Sequence, residues 1–469
     1  MRPRRAAAAA RVLATVLLAL PFCCAGFRPA GAEERAPAVH SEPQWDRETV
    51  ELARLFDAVV ETIEKKFFDE TLLKRLDWRA RANAVRPSVL SAASTEDAAH
   101  RINALLSELK TSHTALYTPD EYQYYILLDV LRGDWETSDL VSRRFWGSGP
   151  YYPGIGAFTL QVEDRHFVDG ILEGSPAERA GLKYGDEILT VNGMPYSPIA
   201  AFRGKIGTTV ELEIRRHSNA APRRLQVSVI PIRPTSAFAA ATEASARIIE
   251  RDNCRIGYVH IWSSSESNTF KATLAKFEPQ SIMADRLRAK GISIIPNTLS
   301  GTDLQIPKPL DFLIVDIRGR VGGNIAVAGQ YLDLLDPRVY WRNWRAIGRS
   351  IQVGSSTPQN PPFRSRSALL TDHHTRSAAE FMADGYKRGA FGPVIGTPTA
   401  GAGSSGALFV MPGDLLLYVA VASHERDGQR LEGVGVSPDH RVERPLPYAA
   451  GADPVLDAAV ELLSKQAAK

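Results

Sequence analysis

The sequence predicts a multidomain α/β protein: an N-terminal helical region, a compact β-rich domain near its middle and an α/β layer in its C-terminal half. Three observations predict this. Apolar residues recur at helical spacing from Asp46 to Phe68 and again from Thr95 to Leu109. Short alternating runs separated by Gly, Pro and Asn turns fill residues 150 to 235. From about residue 250, apolar runs bounded by polar residues alternate with helical stretches, as strands covered on both faces require. The length agrees, since 469 residues at about 150 per domain suggest two to four domains. A composition of 44% hydrophobic and 23% charged residues supplies more than one core and excludes a disordered chain or a collagen-like repeat. Three cysteines, two of them adjacent as Cys23 and Cys24, build neither a disulfide framework nor a metal ribbon, and Cys254 reads as a core thiol.

The first element is an export signal. Arg2, Arg4, Arg5 and Arg11 lead into the apolar run Val12 to Phe22, and Ala30-Gly31-Ala32 supplies a small-x-small cleavage site, so cleavage is expected after Ala32. The run is too short for a stable anchor, and no other stretch reaches the roughly 18 apolar residues of a membrane span. Removing residues 1–32 takes five arginines and no acid, leaving 51 Lys+Arg against 53 Asp+Glu, so the net charge passes from +3 to −2. A nearly neutral chain without a Lys/Arg run is not built for nucleic acid. The expected location is outside the cytoplasm, periplasmic or extracellular.

Residues 33–44 are polar and Pro-rich, a tether, and open an N-terminal helical domain expected over residues 33–145. The apolar set Val50, Leu52, Leu55, Phe56, Val59, Val60, Ile63 and Phe67 forms one helical face, and Ser94-Thr95-Glu96-Asp97 opens the next helix with a capping-box pattern. The domain reads as a lid or support.

In residues 150–235 the runs Gly156–Val162, His166–Ile171, Glu187–Val191 and Val210–Ile214 are the expected strands. Gly174-Ser175-Pro176-Ala177, Ala180-Gly181-Leu182, Gly185-Asp186-Glu187-Ile188-Leu189 and Val191-Asn192-Gly193 resemble the PDZ fold in its permuted bacterial form. The resemblance implies uptake of a peptide on an exposed strand edge, its terminal carboxylate received by main-chain N–H groups of a Gly-containing loop. Gly154, Ile155, Gly156, Ala157 and Phe158 stand where that loop falls. The alternative is a domain that only packs against its neighbours.

Residues 245–469 form the expected α/β core, with strands over Arg255–Trp262 and Phe312–Ile317, a helical stretch ending near Ala289, and a closing helix Pro454–Leu463. Asp316-Ile317-Arg318-Gly319-Arg320-Val321-Gly322-Gly323 leaves the second strand as a Gly-rich turn, where free N–H groups can face an anion. Ser377, at a strand-to-helix boundary, fits S-x-x-E with Glu380 and so reads as a helix cap. A serine at a helix N-terminus also suits a nucleophile, because unpaired N–H groups beside it favour a developing oxyanion.

In order along the chain, Asp316 to Gly323, Ser377 to Glu380, Gly396-Thr397-Pro398-Thr399 and Glu432-Gly433-Val434-Gly435-Val436-Ser437-Pro438-Asp439, together with the PDZ motifs, resemble the C-terminal processing (tail-specific) family of serine peptidases. The resemblance implies a crotonase/ClpP-like α/β core, a serine peptidase acting on protein or peptide C-terminal segments, and no cofactor. In one branch of that family a lysine after the Gly-x-Pro-Thr segment is the general base; here Ala402 stands at that position. Ser112-His113 stands where the tricorn-like branch carries a Ser-His pair in a Ser/His/Ser/Glu tetrad. The resemblance thus implies Ser377 as nucleophile, His113 as base, and Ser112 with Glu432 behind it. It also implies an oxyanion hole from Ala378 with Gly322 or Gly323.

Rival readings come from the same residues. His373 and His374 precede Ser377 closely enough to act as bases if the loop folds back. No H-E-x-x-H occurs, so a zinc peptidase is not expected, and Gly401-Ala402-Gly403-Ser404-Ser405-Gly406 matches G-x-G-x-x-G but leads into a strand. The competing functions are a catalytically inactive peptide- or ligand-binding relative and an esterase using the same serine. Oligomeric state is left open.

Overall fold

The computed structural model describes residues 51–131, 135–146, 149–277, 310–319, 322–335, 345–347, 366–426 and 428–467. The expected signal and tether lie outside them, as does the end, near Ala289, of the expected helical stretch, of which Ser267–Ala275 is described as a helix. Among the described residues no helix is long and apolar enough to cross a membrane.

The chain begins with four helices, α1 (Leu52–Lys66), α2 (Glu70–Leu76), α3 (Trp78–Leu90) and α4 (Thr95–Leu106). Leu55, Phe56, Val59, Val60 and Ile63 form the buried stripe of α1, as their spacing dictates. Ser94 caps α4, its hydroxyl accepting the Asp97 N–H at 3.1 Å while the Asp97 carboxylate accepts the Ala93 N–H at 3.0 Å. After a single 3₁₀ turn, Ser107–Leu109, Lys110 takes a left-handed φ of 50° and turns the chain into strand β1 (Ala115–Tyr117). Helices α5 (Tyr122–Val130) and α6 (Trp135–Phe145) follow.

The helical region has no core of its own. β1 pairs antiparallel with β17 (Leu415–Arg426), Leu116 opposite Leu417, and β17 also pairs with β16 (Ser405–Met411), β13 (Arg345–Ile347) and β18 (Gln429–Arg430). Leu55, Phe56, Ile102 and Leu105 share one cluster with Leu415, Leu417 and Val419. Residues separated by about three hundred positions are thereby stitched into a single sheet-and-helix layer.

The domain that resembles PDZ is the antiparallel sheet β3-β4-β5-β7-β8, comprising β3 (Ala157–Val162), β4 (Arg165–Ile171), β5 (Glu187–Val191), β7 (Thr209–Arg215) and β8 (Arg223–Ser228), with β6 (Met194–Pro195) on β5. It encloses Val168, Ile188, Val210, Leu212 and Ile214, with the short helix α7 (Pro176–Arg179) at one edge. Strands β2 (Tyr152–Gly154) and β9 (Ile230–Ile232) pair where the chain enters and leaves it. The domain is docked on the core: Tyr448 N–H donates to the Gly185 carbonyl and Gly451 N–H to that of Tyr184, each at 2.9 Å. Gly185 has φ +83°, and a Cβ there would lie 2.4 Å from the Ala449 nitrogen, so both dihedral and space demand glycine.

Helix α8 (Pro234–Ser245) leads into the central sheet, ordered β10-β11-β12-β14-β15-β19 and parallel except for β10 with β11. Its strands are β10 (Arg247–Arg251), β11 (Cys254–His260), β12 (Phe312–Asp316), β14 (Arg366–Thr371), β15 (Val394–Gly396) and β19 (His440–Arg441). Leu313 and Val315 of β12 face α9 (Ser267–Ala275), α10 (Ile325–Leu335) and α11 (Ala378–Arg388), whereas Phe312 and Ile314 face α12 (Pro454–Ala467). This two-sided burial explains the unbroken apolar runs. Cys254 is buried on the α12 face.

Candidate active site

The site gathers where β12 and β14 end. From β14 the chain turns through Asp372, whose carboxylate accepts the N–H groups of His374 and Thr375 at 2.9 Å each, while the Thr375 hydroxyl donates to the Ile317 carbonyl at 2.8 Å. This turn delivers Ser377 to the N-terminus of α11 at φ 56°, ψ −128°. A non-glycine residue in that region is strained by about 1–3 kcal/mol, and such strain at a strand-to-helix turn is how a serine hydroxyl is lifted clear of a sheet.

The expected capping box is not formed. Ser377 makes no side-chain cap bond, because its hydroxyl points to His113. Glu380 is instead fully buried, accepting the Thr399 hydroxyl at 2.5 Å, the Gly401 N–H at 2.7 Å and the Ala402 N–H. Burial raises its pKa, and these donors oppose the rise. Glu380 thus fixes the loop whose Ala402 carbonyl accepts the Ser377 N–H at 3.1 Å.

The turn between α4 and β1 brings in the second component. His113 Nε2 lies 3.3 Å from Ser377 Oγ and its Nδ1 2.7 Å from Ser112 Oγ. Ser112 Oγ donates to Glu432 Oε2 at 3.0 Å, and the Ser112 N–H donates to Oε1 at 2.7 Å. The Ser404 N–H is a third donor to Glu432, at 2.8 Å. A carboxylate can only accept, so the Ser112 proton is committed to Glu432 and Ser112 Oγ is left to accept from His113 Nδ1–H. That tautomer leaves Nε2 bare toward Ser377. His113 is buried, and burial, with Arg376 and His424 acting in the same direction, pushes its pKa down to about 3, so the imidazole is neutral at rest.

Beside Ser377, Gly322 is so close that a Cβ on it would lie 3.7 Å from the serine Cβ. Three donors hold the Gly322 carbonyl: the Ser264 N–H at 2.9 Å and the Ser263 and Ser264 hydroxyls at 3.1 Å each. The N–H groups of Gly322, Gly323 and Ala378 meet no acceptor among the described residues. A cavity of about 430 Å³ opens onto this cluster, lined by His113, Ser377, Gly322 and Arg376 on one side and by Ile126, Leu127 and Val130 of α5, with Leu131 just after it, on the other. The arrangement can accept a proton from a serine hydroxyl and hold negative charge on an adjacent oxygen.

The structure therefore brings Ser112, His113, Ser377 and Glu432 together, with Ala378, Gly322 and Gly323 around them. His373 lines the same cavity, while His374 faces Asp169 of β4 at 3.2 Å, so that neither occupies the place of His113 against Ser377. Lys387 is bound to Asp439 at 2.9 Å and to the Ser437 carbonyl, far from any role as base. Ala402 lines the cavity without a titratable group. Arg320 and Val321 lie outside the described residues.

Gly154, Ile155, Gly156, Ala157 and Phe158 are not part of this cluster, and all five are buried. Gly154 is tied up in the β2–β9 ribbon, the Ile155 carbonyl accepts the Ala177 N–H at 2.9 Å, and Phe158 packs against Tyr122, Phe238 and Trp262. As the domain is docked here, the segment is closed to a peptide. Sequence reasoning missed Ser404, Ser264 and the fastening role of Glu380.

Comparison with known proteins bears on the family. Residues 255–442 match the model of Peptidase family S41 and residues 167–216 that of a PDZ domain. The carboxyl-terminal-processing protease of Picosynechococcus is 25% identical over 427 residues, covering 87% of this chain and 88% of its own. A tricorn protease homologue of Streptomyces coelicolor is 25% identical over 434 residues, 88% of this chain, but this chain spans only 32% of that protein's length. Among solved structures, a photosystem II D1 C-terminal processing protease superposes with a TM-score of 0.47 at 17% identity, over 86% of this chain and 98% of its own. The PDZ match at residues 167–216 and the Peptidase family S41 match at residues 255–442, with the similarity to carboxyl-terminal-processing proteases, support a serine peptidase of the C-terminal processing family.

Proposed function

We propose that the protein is an exported serine endopeptidase that cleaves protein substrates recruited by their C-termini. The observation that carries this reading is the unbroken line of hydrogen bonds Glu432–Ser112–His113–Ser377 beside three unused N–H groups. Ser377 Oγ attacks the scissile carbonyl carbon and its proton passes to His113 Nε2. The oxyanion is held by the Ala378 N–H and one of Gly322 or Gly323, worth about 2.7–4 kcal/mol per donor in comparable sites. His113 then gives the proton to the leaving amine, and water, deprotonated by the same ring, releases the acyl group. Glu432, through the Ser112 hydroxyl, stabilises the imidazolium that forms in between.

The PDZ domain grips a substrate C-terminus once Gly154 to Phe158 are uncovered. Ser112-His113 takes the role that a lysine at the position of Ala402 takes in the other branch of the family. Cleavage after Ala32 releases the mature chain outside the cytoplasm.

A fluorophosphonate probe tests the core of this reading. An adduct on Ser377, mapped by mass spectrometry and absent in Ser377→Ala and His113→Ala, is the expected result. A folded protein that takes no label favours an inactive peptide-binding relative. Labelling that survives His113→Ala moves the base to His373 or His374. Comparing peptide with ester substrates separates a peptidase from an esterase.

A further inference from the structure

Glu173, in the turn between β4 and α7 of the PDZ domain, reaches into the core. Its Oε2 accepts the Trp262 Nε1–H at 2.6 Å and its Oε1 lies 2.8 Å from His260 Nδ1. His260 Nε2 lies 2.9 Å from the Arg318 carbonyl. Both neighbours of this imidazole can only accept, so both ring nitrogens carry protons and the ring is a cation. Burial alone would push its pKa down, but the carboxylates of Glu173 and Asp316 outweigh burial and lift it to about 9. A buried cation of this kind depends on its counter-ion.

The far end of the same segment carries the site. Two residues beyond Trp262, Ser264 holds the Gly322 carbonyl through its N–H and its hydroxyl, and its own carbonyl accepts the Asn324 N–H at 3.2 Å. In a planar trans peptide the carbonyl and the following N–H point in opposite directions. Fixing the Gly322 carbonyl on Ser264 therefore fixes the direction of the Gly323 N–H. The Trp262 ring also bears on Gly319, where a Cβ would lie 3.2 Å from it.

Resting on the peptidase reading above, we propose that Glu173 is a positioning residue. By holding Trp262 and His260 it sets residues 260–264, and through Ser264 the Gly322–Gly323 peptide, whose Gly323 N–H is one of the donors beside Ser377. Glu173 touches no reacting atom, and its effect belongs to turnover rather than to substrate affinity.

The test compares the wild-type protein with Glu173→Gln and with Trp262→Phe, which keeps an aromatic ring but removes the N–H. The substrate is a short chromogenic peptide ester without a free C-terminus, so that PDZ recruitment plays no part. The expected result for Glu173→Gln is a kcat lowered ~10- to 100-fold at unchanged KM, part of the 10²–10³ that a lost oxyanion donor costs. Affinity for a peptide aldehyde, whose tetrahedral adduct uses the same donors, falls with it, and Glu173→Asp restores part of the rate. Trp262→Phe moves kcat in the same direction. Either variant, folded by its thermal midpoint, with kcat and aldehyde affinity within about twofold of wild type overturns the proposal, as does a loss confined to KM. If the wild type itself neither labels at Ser377 nor turns over, the peptidase reading beneath has failed; if the wild type labels and Glu173→Gln labels equally fast, only this inference has.

Discussion

Replacing Glu432 by Gln probes the end of the hydrogen-bond line that touches no substrate. Three donors converge on this carboxylate: the Ser112 N–H on one oxygen, and the Ser112 hydroxyl with the Ser404 N–H on the other. A glutamine amide cannot satisfy them in either orientation. With its NH₂ toward the Ser112 nitrogen it sets donor against donor across 2.7 Å. Flipped, it meets the Ser404 N–H at 2.8 Å and drives the Ser112 hydroxyl to donate elsewhere. The nearest acceptor is then His113 Nδ1, 2.7 Å away, which forces the ring into the tautomer carrying its proton on Nε2, unable to take one from Ser377. Losing one hydrogen bond to a charged acceptor costs about 1.5–3 kcal/mol, and a wrong tautomer in a directly linked triad costs about 10⁴ in kcat. With a hydroxyl interposed, the expectation is a kcat about 10²- to 10⁴-fold lower, roughly 3–5 kcal/mol, with KM changed little. The assay is steady-state hydrolysis of a peptide ester beside the rate of fluorophosphonate labelling. A folded Glu432→Gln protein within about fivefold of wild type on both measures refutes the proton assignment.

The other expectations concern the same neighbourhood. Because burial holds His113 near a pKa of about 3, the acid limb of kcat/KM is expected well below pH ~6.5, the ordinary histidine value; a limb centred near 6.5 contradicts the neutral buried ring. The unfolded chain binds the His113 proton more readily than the folded one. This contribution is fully present above the unfolded pKa and is lost as pH falls toward 3, so the stability of His113→Asn should fall less steeply with acidification in urea titrations. Gly322→Ala should fold normally, since its methyl meets Ser377 at an ordinary 3.7 Å, yet crowd the attack site and lower kcat; Gly323→Ala, at φ +132° and 2.8 Å from the Ser264 carbonyl carbon, should lower stability by about 1–3 kcal/mol. Glu380→Ala strands three donors and should destabilise by about 3–5 kcal/mol, read from urea unfolding, with loss of labelling at Ser377.

What the sequence made legible follows from the kind of signal each element carries. The strands Phe312–Asp316 and Glu187–Val191 were readable because burial on two faces or one leaves a direct imprint on residue choice. Helix α5 was not, because Tyr122 to Leu128 is apolar nearly all round and shows no stripe. Strand β1 spans only three residues, too short for any period, and its existence depends on β17, three hundred residues later. Ser377 with Glu380 looked like a local cap because the true partners of Glu380 come from residues 399–402, beyond any local pattern. His113 stood out only through the motif order and the alanine at 402. Burial of Gly154 to Phe158 comes from tertiary neighbours such as Tyr122, Phe238 and Trp262, to which the PDZ motifs hold no clue.

The pairing of β1 with β17 also decides when a chain of this kind becomes dangerous to its surroundings. His113 is made early in synthesis, Ser377 much later and Glu432 later still, and the strand that seats His113 waits for Leu416 to Tyr418 to emerge. Domains assemble as they leave the ribosome, and contacts this distant in sequence form last. The nascent polypeptide therefore holds Ser377 without His113 beside it. Latency during biogenesis is supplied by chain order itself, and a fragment ending before residue 415 should be inert toward its own unfolded siblings.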